Sequence, residues 1–557
     1  MNETVSRRAL LPLSAAVAGS ALLASGSVRG QPTITRQGDG VLLEQGMHRV
    51  TTNTTLKTDV VVQPGATIHV AAGATLTILG CFQAPVATIF VGPGTVDLNR
   101  SRTPHAHPEW WGAVPGDGAQ NCLPALQACL AAHPVMHLLP ADYFIEGSFV
   151  VERPFCQIRG AGFRGTEGWR GTRLVLTTGH GDVMRVGPAN RPPTVNDYPQ
   201  NIEISALALG RSRPVDAASS RRPAGLVAQY LLCARLEQIS SNEHAIGFSA
   251  RGLVRTQLID CFAFRSLHGT QPGQPWRGFL LDGMDDIGLA GGNASLFLID
   301  CNATVGGDPQ VSDGVGLLLE GAFADTFVIN FETTAVATGI RADGKAGQIG
   351  ERGRNGHVNL HLRMPIIDQC GEAGIILRDT SAHMMVDISE PYVATAPNAQ
   401  AAIRCDAMRG SASISGGQLI GTTSSANGGN AAGLMAYDSD GLQIHGLKLL
   451  ECPRPVEMSN CRGFSIQGLI LNQDFPTRRD AVRLQDCVRG ALAMVINGSS
   501  RAFASGVRID GDCHRVRIDA TGHDDDAFQN GANGRVRIGD QAVTIPSRYN
   551  DILIDGA

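Results

Sequence analysis

The chain has 557 residues, a formal net charge of −5 and a pI of about 6.3. This charge balance excludes a general nucleic-acid binder, which needs a basic surface. Glycine is frequent, at 67 residues, and aromatic residues make up only 5%. Such a composition and length favour an elongated repeat with many turns over one ordinary compact domain.

Residues 1–30 have the features of a twin-arginine-type export signal. Arg7 and Arg8 precede an apolar run from Ala9 to Ala24, and small residues follow at 25–27. The run is short for a membrane span; an ordinary secretory signal and a short anchor are the alternatives. We therefore expect a periplasmic or secreted protein without a stable membrane span after signal removal.

Residues 31–107 predict a small N-terminal β domain, or the opening turns of a coil. The segments PGATIHV (64–70) and AGATLTI (72–78) repeat with a step of eight residues. Gly65 and Gly73 are placed to form turns, and the apolar residues that follow alternate with polar ones. This alternation is typical of short strands with one buried face.

A longer repeat begins near residue 150. A small residue followed by an apolar one recurs at steps of 22 to 38 residues, as at Gly316-Leu317, Gly339-Ile340 and Gly374-Ile375. Each unit is too small to bury its apolar side alone, whereas stacked units form a continuous core. The pattern predicts a right-handed parallel β-helix of roughly eleven or more coils. A propeller is the competing all-β architecture, but its blades are longer and more regular.

The 13 cysteines follow the same repeat. LIDC occurs at 258–261 and again at 298–301, and acidic or amide residues precede several other cysteines. A cysteine at one place in a repeat predicts a small buried apolar side chain. No CxxC pair or Cys/His cluster indicates a metal site.

The segment at 108–143 carries a family resemblance. Its landmarks are Trp110, Trp111, Gly112, Ala113, Gly116, Asp117 and Gly118, a helix near Leu123 to Ala132, then His137-Leu138-Leu139-Pro140 and Tyr143. It resembles the opening segment of pectate-lyase-like β-helix proteins, the rhamnogalacturonase/epimerase-like and glycoside hydrolase family 28-related group. The resemblance implies that residues 108–557 form the parallel β-helix, with a short N-terminal capping helix. Asn121 can cap that helix, and the tryptophan pair is expected to cover it.

Members of this superfamily use a groove along one sheet for polysaccharides, so carboxylates on neighbouring coils are the candidate catalytic groups. The richest ionisable stretch lies mid-helix, next to a glycine-rich insertion at 342–356. There we predict Asp368, Asp387 and Glu390 as acid/base residues, with Arg363 and His361 orienting the substrate. The alternative is that these are solvated turn residues.

A second candidate is the Trp276-Arg277 pair, which precedes a predicted strand. Tryptophan faces stack on sugar rings, and arginine binds carboxylates through two parallel hydrogen bonds. We therefore predict both as substrate-binding residues, with a loop-anchoring role as the alternative.

Three functions follow from these features. The first is an exported glycoside hydrolase or polysaccharide lyase; a lyase would use an arginine base and a cation such as Ca²⁺. The second is a glycan-binding or surface-structural β-helix without catalysis. The third is a tailspike-like trimer, against which the export signal argues.

Overall fold

The computed structural model describes residues 34–37 and 40–555, apart from short segments. The omitted segments are 164–170, 214–221, 267–274, 284–292, 307–313, 322, 345–357, 380–383, 422–430, 474, 476, 478, 499–501, 523–535, 539–540, 544–546 and 550–551. The predicted export signal at 1–30 lies outside the described residues and stays a prediction. None of the helices in the described part of the chain is long and apolar enough to cross a membrane.

The chain divides into two compact units, one formed by residues 1–104 and 109–112 and the other by 105–108 and 113–557. In the N-terminal unit β2, β5 and β8 pair in parallel, as do β3, β6 and β9, and β4, β7 and β10, so the described part forms short three-sided coils. Its strands are β1 (Ile34–Gln37), β2 (Gly40–Leu43), β3 (Gly46–Val50), β4 (Thr54–Leu56), β5 (Val60–Val62), β6 (Ala66–Val70), β7 (Thr75–Ile78), β8 (Phe82–Gln83), β9 (Phe90–Val91) and β10 (Thr95–Asp97). Gly65 and Gly73 have φ of 82° and 76°, which confirms the turns predicted from the eight-residue repeat.

The tryptophan pair belongs to the core of the N-terminal unit. Trp110 is 3% exposed, and its ring lies 5.0 Å from that of Phe82. Its Nε1 donates a hydrogen bond to the Pro85 carbonyl at 3.1 Å, while Trp111 lies 5.0 Å from Phe90. The aromatic partners Phe82 and Phe90 thus account for a structural role of the pair, while the predicted cover over the capping helix stays a prediction.

Helix α1 of the second unit, Leu123–Ala132, lies at the position predicted. Asn121 Oδ1 accepts a hydrogen bond from the Leu123 backbone N–H at 3.0 Å, which satisfies one of the donors left open at the helix start. Leu126 and Leu130 are buried, and the helix packs against strands of the first coil. Short 3₁₀ helices cover Pro108–Trp111 and Val195–Asp197.

The remainder of the second unit is a parallel β-helix, as predicted. Each coil runs through three faces, A, B and C, and a single long strand covers both A and B in some coils. Face C is a 15-stranded sheet among the described residues, which agrees with the predicted number of coils. Faces A and B together form a sheet with 25 strands in the described part of the chain.

In chain order, the strands of the first six coils are β11 (Val135–His137), β12 (Asp142–Ile145), β13 (Phe149–Val151); β14 (Gln157–Arg159), β15 (Thr172–Leu176), β16 (Met184–Val186); β17 (Glu203–Arg211), β18 (Ala224–Gln229); β19 (Arg235–Asn242), β20 (Ile246–Arg251); β21 (Gln257–Ile259), β22 (Phe262–Ser266), β23 (Arg277–Gly283); β24 (Asn293–Ile299), β25 (Asn302–Gly306) and β26 (Val315–Gly321). The middle coils are β27 (Phe323–Ile329), β28 (Glu332–Thr334), β29 (Thr338–Gly344); β30 (Val358–Arg363), β31 (Ile366–Cys370), β32 (Ala373–Asp379); β33 (Met384–Ser389), β34 (Tyr392–Thr395), β35 (Ala401–Asp406); β36 (Ser411–Ser415), β37 (Gln418–Ile420) and β38 (Ala432–Tyr437). The last strands are β39 (Leu442–His445), β40 (Lys448–Leu450), β41 (Arg454–Ser459), β42 (Ser465–Gln473), β43 (Val482–Gln485), β44 (Val488–Gly498), β45 (Val507–Asp510), β46 (His514–Gly522), β47 (Val536–Ile538), β48 (Gln541–Val543), β49 (Ser547–Tyr549) and β50 (Ile552–Asp555).

The glycine-led repeat has a steric cause on face C. A Cβ added at Gly316 would lie 2.7 Å from the Gly339 carbonyl oxygen, and one at Gly339 would lie 2.7 Å from that of Gly374. These glycines stack in a column along face C, and side chains of face B also lie close to it from inside the coil. At these two positions only a residue without a Cβ fits without displacing its neighbours, whereas the equivalent place is taken by Ala402 and Pro455 in two later coils.

The cysteines of the repeat are buried at the corners of the coils. Cys261 and Cys301 are 1% and 0% exposed, and each follows an aspartate at the turn from face A to face B. All 13 cysteines are free, and all except Cys81 and Cys233 are buried. The prediction that they act as small apolar side chains in the core is confirmed.

A buried histidine makes stability depend on pH. His244 is 1% exposed; Arg211 Nε donates to its Nδ1 at 2.8 Å, and its Nε2 lies 3.2 Å from the Leu209 carbonyl oxygen. Burial, and secondly Arg211, lower the pKa of His244 from 6.5 to about 3. Below pH 6.5 the unfolded chain binds a proton at this histidine while the folded chain does not. The free energy of unfolding is therefore unaffected by His244 above pH 6.5 and decreases as the pH falls towards 3.

We expect His244→Gln to flatten the pH dependence of unfolding. In the wild type, His244 should lower the free energy of unfolding by about 3 kcal/mol at pH ~4.5 relative to neutral pH, since each pH unit below 6.5 costs about 1.4 kcal/mol. Denaturant unfolding at both pH values measures the difference. The exposed His180, changed to glutamine, is the control and should retain the wild-type slope; an equal slope in His244→Gln would contradict the assignment.

Candidate functional site

The turn from face A to face B forms a ladder along the coils, here called the corner ladder. Its members share a left-handed backbone with φ between 49° and 65°: Asp260, Asp300, Asn330, Met364, Glu390, Gly416 and Gly446. Each backbone N–H donates to the carbonyl that ends face A of the next coil. Aspartate, asparagine and glycine tolerate this conformation best, so the turn itself explains their presence.

One part of the corner ladder borders a groove of about 650 Å³, here called the acidic groove. Its lining combines carboxylates, amides and aromatic rings: Phe163, Ser240, Asn242, Asp260, Phe262, Asp300, Cys301, Asn302, Asn330 and Glu332. Carboxylates, amides and aromatic rings together are the groups that bind sugars, because a sugar has both hydroxyl groups and apolar faces. The acidic groove is therefore the candidate site.

Hydrogen bonds orient the carboxylates of the acidic groove. Asn330 Nδ2 donates to Asp300 Oδ1 at 2.7 Å, and Gln238 Nε2 lies 3.5 Å from Asp260 Oδ2. Glu332 is exposed and begins the face B strand of the next coil, in register with Asn302. Asp260 and Asp300 lie on adjacent coils, whose backbones are about 4.8 Å apart.

The aromatic part of the groove lies at its Asp260 end. Phe262 begins the face B strand two residues after Asp260, and Phe163 also lines the groove. Ser240 Oγ donates to the Phe163 carbonyl at 2.8 Å, which fixes the backbone of this residue. Asp260 is half-buried, whereas Asp300 and Glu332 are exposed, so the two ends of the groove differ in solvent access.

Two of the residues predicted from the sequence come together on face A. His361 and Asp387 pair in register, and His361 Nδ1 lies 3.9 Å from Asp387 Oδ2. The rings of Phe297, Phe327 and His361 stack on successive coils, with centroids 5.0 and 4.6 Å apart. This row ends in a carboxylate and forms an aromatic surface beside the corner ladder.

The other predicted residues are spread around this row. Arg363 is exposed at the end of the same strand as His361, and Glu390 is exposed on the corner ladder. Asp368 lies on face B, in register with Thr334. The described contacts thus join His361 to Asp387, while Glu390 shares the corner ladder with the acidic groove.

Trp276 and Arg277 lie on the other sheet. Trp276 is 1% exposed, so its ring is not available to stack on a sugar, and it is left out of the candidate site. Arg277 begins β23 on face C, and its Nη2 lies 3.9 Å from Glu320 Oε1. Burial is the main reason that the pKa of Arg277 is lowered. These placements favour the alternative of a structural anchor.

The residues predicted from the sequence do not include Asp260, Asp300 or Asn330, and Glu332 is part of the ionisable stretch without a predicted role. The signal for Asp260 and Asp300 is the repeated LIDC, in which the cysteine is buried and the preceding aspartate lines the groove. Asn330 and Glu332 flank Phe331 in the next coil, at the places of Asp300 and Asn302.

No group of three or more His, Cys, Asp or Glu side chains in the described part of the chain is arranged to hold a metal ion. The Ca²⁺ considered for a lyase therefore has no cluster of ligands assigned to it among these residues.

Neither a family model nor a curated protein sequence matches this chain. Solved structures with a similar fold include gene product 12 of bacteriophage phi29, with 13% identity and a TM-score of 0.48 over 80% of this chain and 57% of that protein. A tailspike of an Acinetobacter phage has 13% identity and a TM-score of 0.37, over 79% and 64% of the two chains. The A-module of an Azotobacter vinelandii mannuronan C-5 epimerase has 12% identity and a TM-score of 0.33, over 81% and 99%. The chain thus spans less than two thirds of the length of the two phage proteins.

Proposed function

We propose that this protein binds polysaccharide in the acidic groove and hydrolyses it, with Asp260 and Asp300 as the catalytic carboxyl groups. The observation that supports this is the placement of the two aspartates on adjacent rungs of the corner ladder, lining one groove with Phe163 and Phe262. Glycoside hydrolysis uses a pair of carboxyl groups on either side of the scissile bond.

The two carboxyl groups have different surroundings, which suits different roles. Asp300 is oriented by the hydrogen bond from Asn330, so it is the candidate base or nucleophile. Asp260 is half-buried near the aromatic end of the groove and is the candidate for delivering the proton to the leaving oxygen. Glu332 also lines the groove, one coil after Asn302, and is the candidate for binding sugar hydroxyl groups.

Hydrolysis is favoured over elimination by the charges of the groove. A lyase must neutralise the carboxylate of a uronate and withdraw the neighbouring proton, and arginine or lysine commonly takes part. Among the described residues that line the groove, none is arginine or lysine. Elimination is therefore the less suitable reaction for these residues.

A glycan-binding protein without catalysis is the second candidate function. Asp300 and Glu332 are both exposed, whereas electrostatic catalysis benefits from a site that excludes water. The sequence-predicted set of Asp368, Asp387 and Glu390, with Arg363 and His361, stays a prediction for a neighbouring catalytic or binding site. Export to the periplasm or the medium also stays a prediction.

A screen of purified protein against polysaccharides tests the function. We expect new reducing ends without the ultraviolet absorbance of an unsaturated sugar, since elimination creates a double bond and hydrolysis does not. Proton NMR of the first product identifies the stereochemistry: we expect retention if the carboxyl groups keep about the 4.8 Å spacing of their backbones, since retaining enzymes need ~5–5.5 Å and inverting ones ~6.5–9.5 Å. Unsaturated products would overturn hydrolysis, and binding without cleavage would favour the second function.

A further inference from the structure

We propose that the glycan is uncharged, and that it extends from the acidic groove onto an adjoining apolar platform formed by Met364, Ile366 and Tyr392. This inference rests on the proposed function and names its substrate class. Two independent observations support it. The charged side chains among the described residues that line the groove are all acidic, and exposed apolar side chains continue the corner ladder and face B beyond the groove.

The first observation is electrostatic. Asp260, Asp300 and Glu332 line the groove, and no lysine or arginine is among the described residues that line it. A uronate polymer would bring a carboxylate with each sugar, and like charges placed together cost several kcal/mol in specific complexes. Hydroxyl groups of a neutral sugar, in contrast, donate hydrogen bonds to carboxylates at no such cost.

Charged residues beyond the groove do not change this balance. Arg363 is exposed immediately before Met364, but Asp387 and Glu390 lie on the next coil along the same faces. Arg235, on an earlier coil of face A, is engaged by Glu237 at 2.9 Å. The described surface around the groove is therefore acidic on balance.

The second observation is the apolar platform. Met364, Ile366 and Tyr392 are 45%, 36% and 41% exposed. On the corner ladder Met364 follows Asn330, and on face B Ile366 pairs in register with Glu332 on one side and with Tyr392 on the other. The platform therefore continues the groove along the coil axis, at about 4.8 Å per coil.

This arrangement fits a linear neutral glycan. One sugar would lie over the carboxylates, and a later one would place its C–H face on the Tyr392 ring and the neighbouring aliphatic side chains. Tyrosine offers such a face together with a hydroxyl group for hydrogen bonding. Because the platform and groove share the same rows of residues, a single chain can contact both without bending around the coil.

The experiment compares matched pairs of neutral and uronate polymers on the full chain. Mannan is paired with polymannuronate and galactan with polygalacturonate, and binding is measured by affinity electrophoresis and calorimetry. We expect binding to a neutral polymer of at least one pair, at least tenfold tighter than to its uronate counterpart. That binding should stay constant between about 0.05 and 0.5 M salt, since screening acts on charges.

Variants test the platform separately. Tyr392→Ala should weaken binding of the neutral glycan about tenfold, while Phe155→Ala, which removes an exposed aromatic ring at another corner, should change it less than twofold. Phe155 is 64% exposed, so its loss is a fair match in side-chain type and exposure. Equal effects of the two variants would overturn the platform.

The outcomes separate this inference from the proposed function. If the uronate polymer of either pair binds more tightly than its neutral counterpart, the neutral substrate class is overturned, while a polysaccharide-binding function is still supported. Failure to bind any polymer of either class overturns both. A concentration-dependent dimer seen by ultracentrifugation in the wild type and lost in Tyr392→Ala would assign the platform to a second copy of the chain and overturn the glycan subsite.

Discussion

Replacing Asp300 by asparagine should lower the rate of polysaccharide cleavage by about 10²–10⁴-fold, the range by which acid/base groups contribute. The substitution keeps the size of the side chain, and the Asn330 amide can still donate to the new carbonyl oxygen. It removes the charge and the ability to accept a proton. We therefore expect glycan affinity to change little while kcat falls, as measured by reducing-end release at saturating substrate.

The other corner of the coils supplies a matched control. Asp438 turns the chain from face C to face A with φ of 48°, against 53° for Asp300, and both residues are exposed. Asn460 Nδ2 donates to Asp438 Oδ1 at 2.5 Å, as Asn330 does to Asp300. Asp438→Asn thus repeats the structural change outside the groove, and its activity should stay within twofold of wild type.

A third variant decides between the acidic groove and the site predicted from the sequence. Asp387→Asn disturbs the His361–Asp387 pair on face A without touching the groove. Full activity in Asp300→Asn together with a large loss in Asp387→Asn would move the chemistry to the predicted site. A similar loss in Asp300→Asn and Asp438→Asn would reduce Asp300 to a structural turn residue.

The fold could be predicted because its strongest constraint acts on single residues. At Gly316, Gly339 and Gly374 an added Cβ would lie only 2.6–2.7 Å from a carbonyl oxygen of the next coil, so glycine is favoured at these places, although Ala402 takes the equivalent place in the coil after Gly374. The apolar residue that follows each glycine is buried by the same stacking. Loops of different length between the coils change neither the close approach at the glycine nor the burial of the apolar residue. The repeat is therefore recognisable although its steps vary in length.

The site could not be predicted in the same way, because it depends on register between coils. Asp300 and Glu332 border one groove only because Asn302 pairs with Glu332 and the corner residues stack. Nothing local to either residue indicates this, since an aspartate at a left-handed turn has a sufficient structural reason to be there. The predicted residues at 361–390 belong to the stretch, 332–392, that is richest in ionisable side chains, and such a density does not indicate which side chains share a groove.

Trp276 shows a different limit. A tryptophan beside arginine and glycine predicts an exposed sugar-binding residue, yet the ring is 1% exposed. The Gly278 that follows packs so closely that a Cβ there would lie 3.1 Å from the tryptophan ring. The glycine thus makes room for a buried aromatic ring. From the sequence alone, a glycine that serves this purpose cannot be distinguished from one in a flexible loop.

Substitution of Gly339 should give the largest loss of stability. A Cβ at this position would lie 2.6 Å from Ile367 Cγ2 and 2.7 Å from the Gly374 carbonyl oxygen. The backbone of the next coil cannot retreat without breaking parallel pairing, so Gly339→Ala should cost about 2–3 kcal/mol and Gly339→Val more than about 3 kcal/mol. Denaturant unfolding measures both values.

Gly210 is the control for this prediction, because it also lies in a strand but has room. A Cβ there would come no closer than 3.3 Å, to Arg173 Cδ, which is part of a flexible side chain. Gly210→Ala should therefore change the free energy of unfolding by less than about 1 kcal/mol, and the reduced entropy of its unfolded chain acts in the stabilising direction. If Gly339→Ala were equally mild, the close approach of neighbouring coils could not be the reason for the glycine column, and backbone propensity would have to explain the repeat.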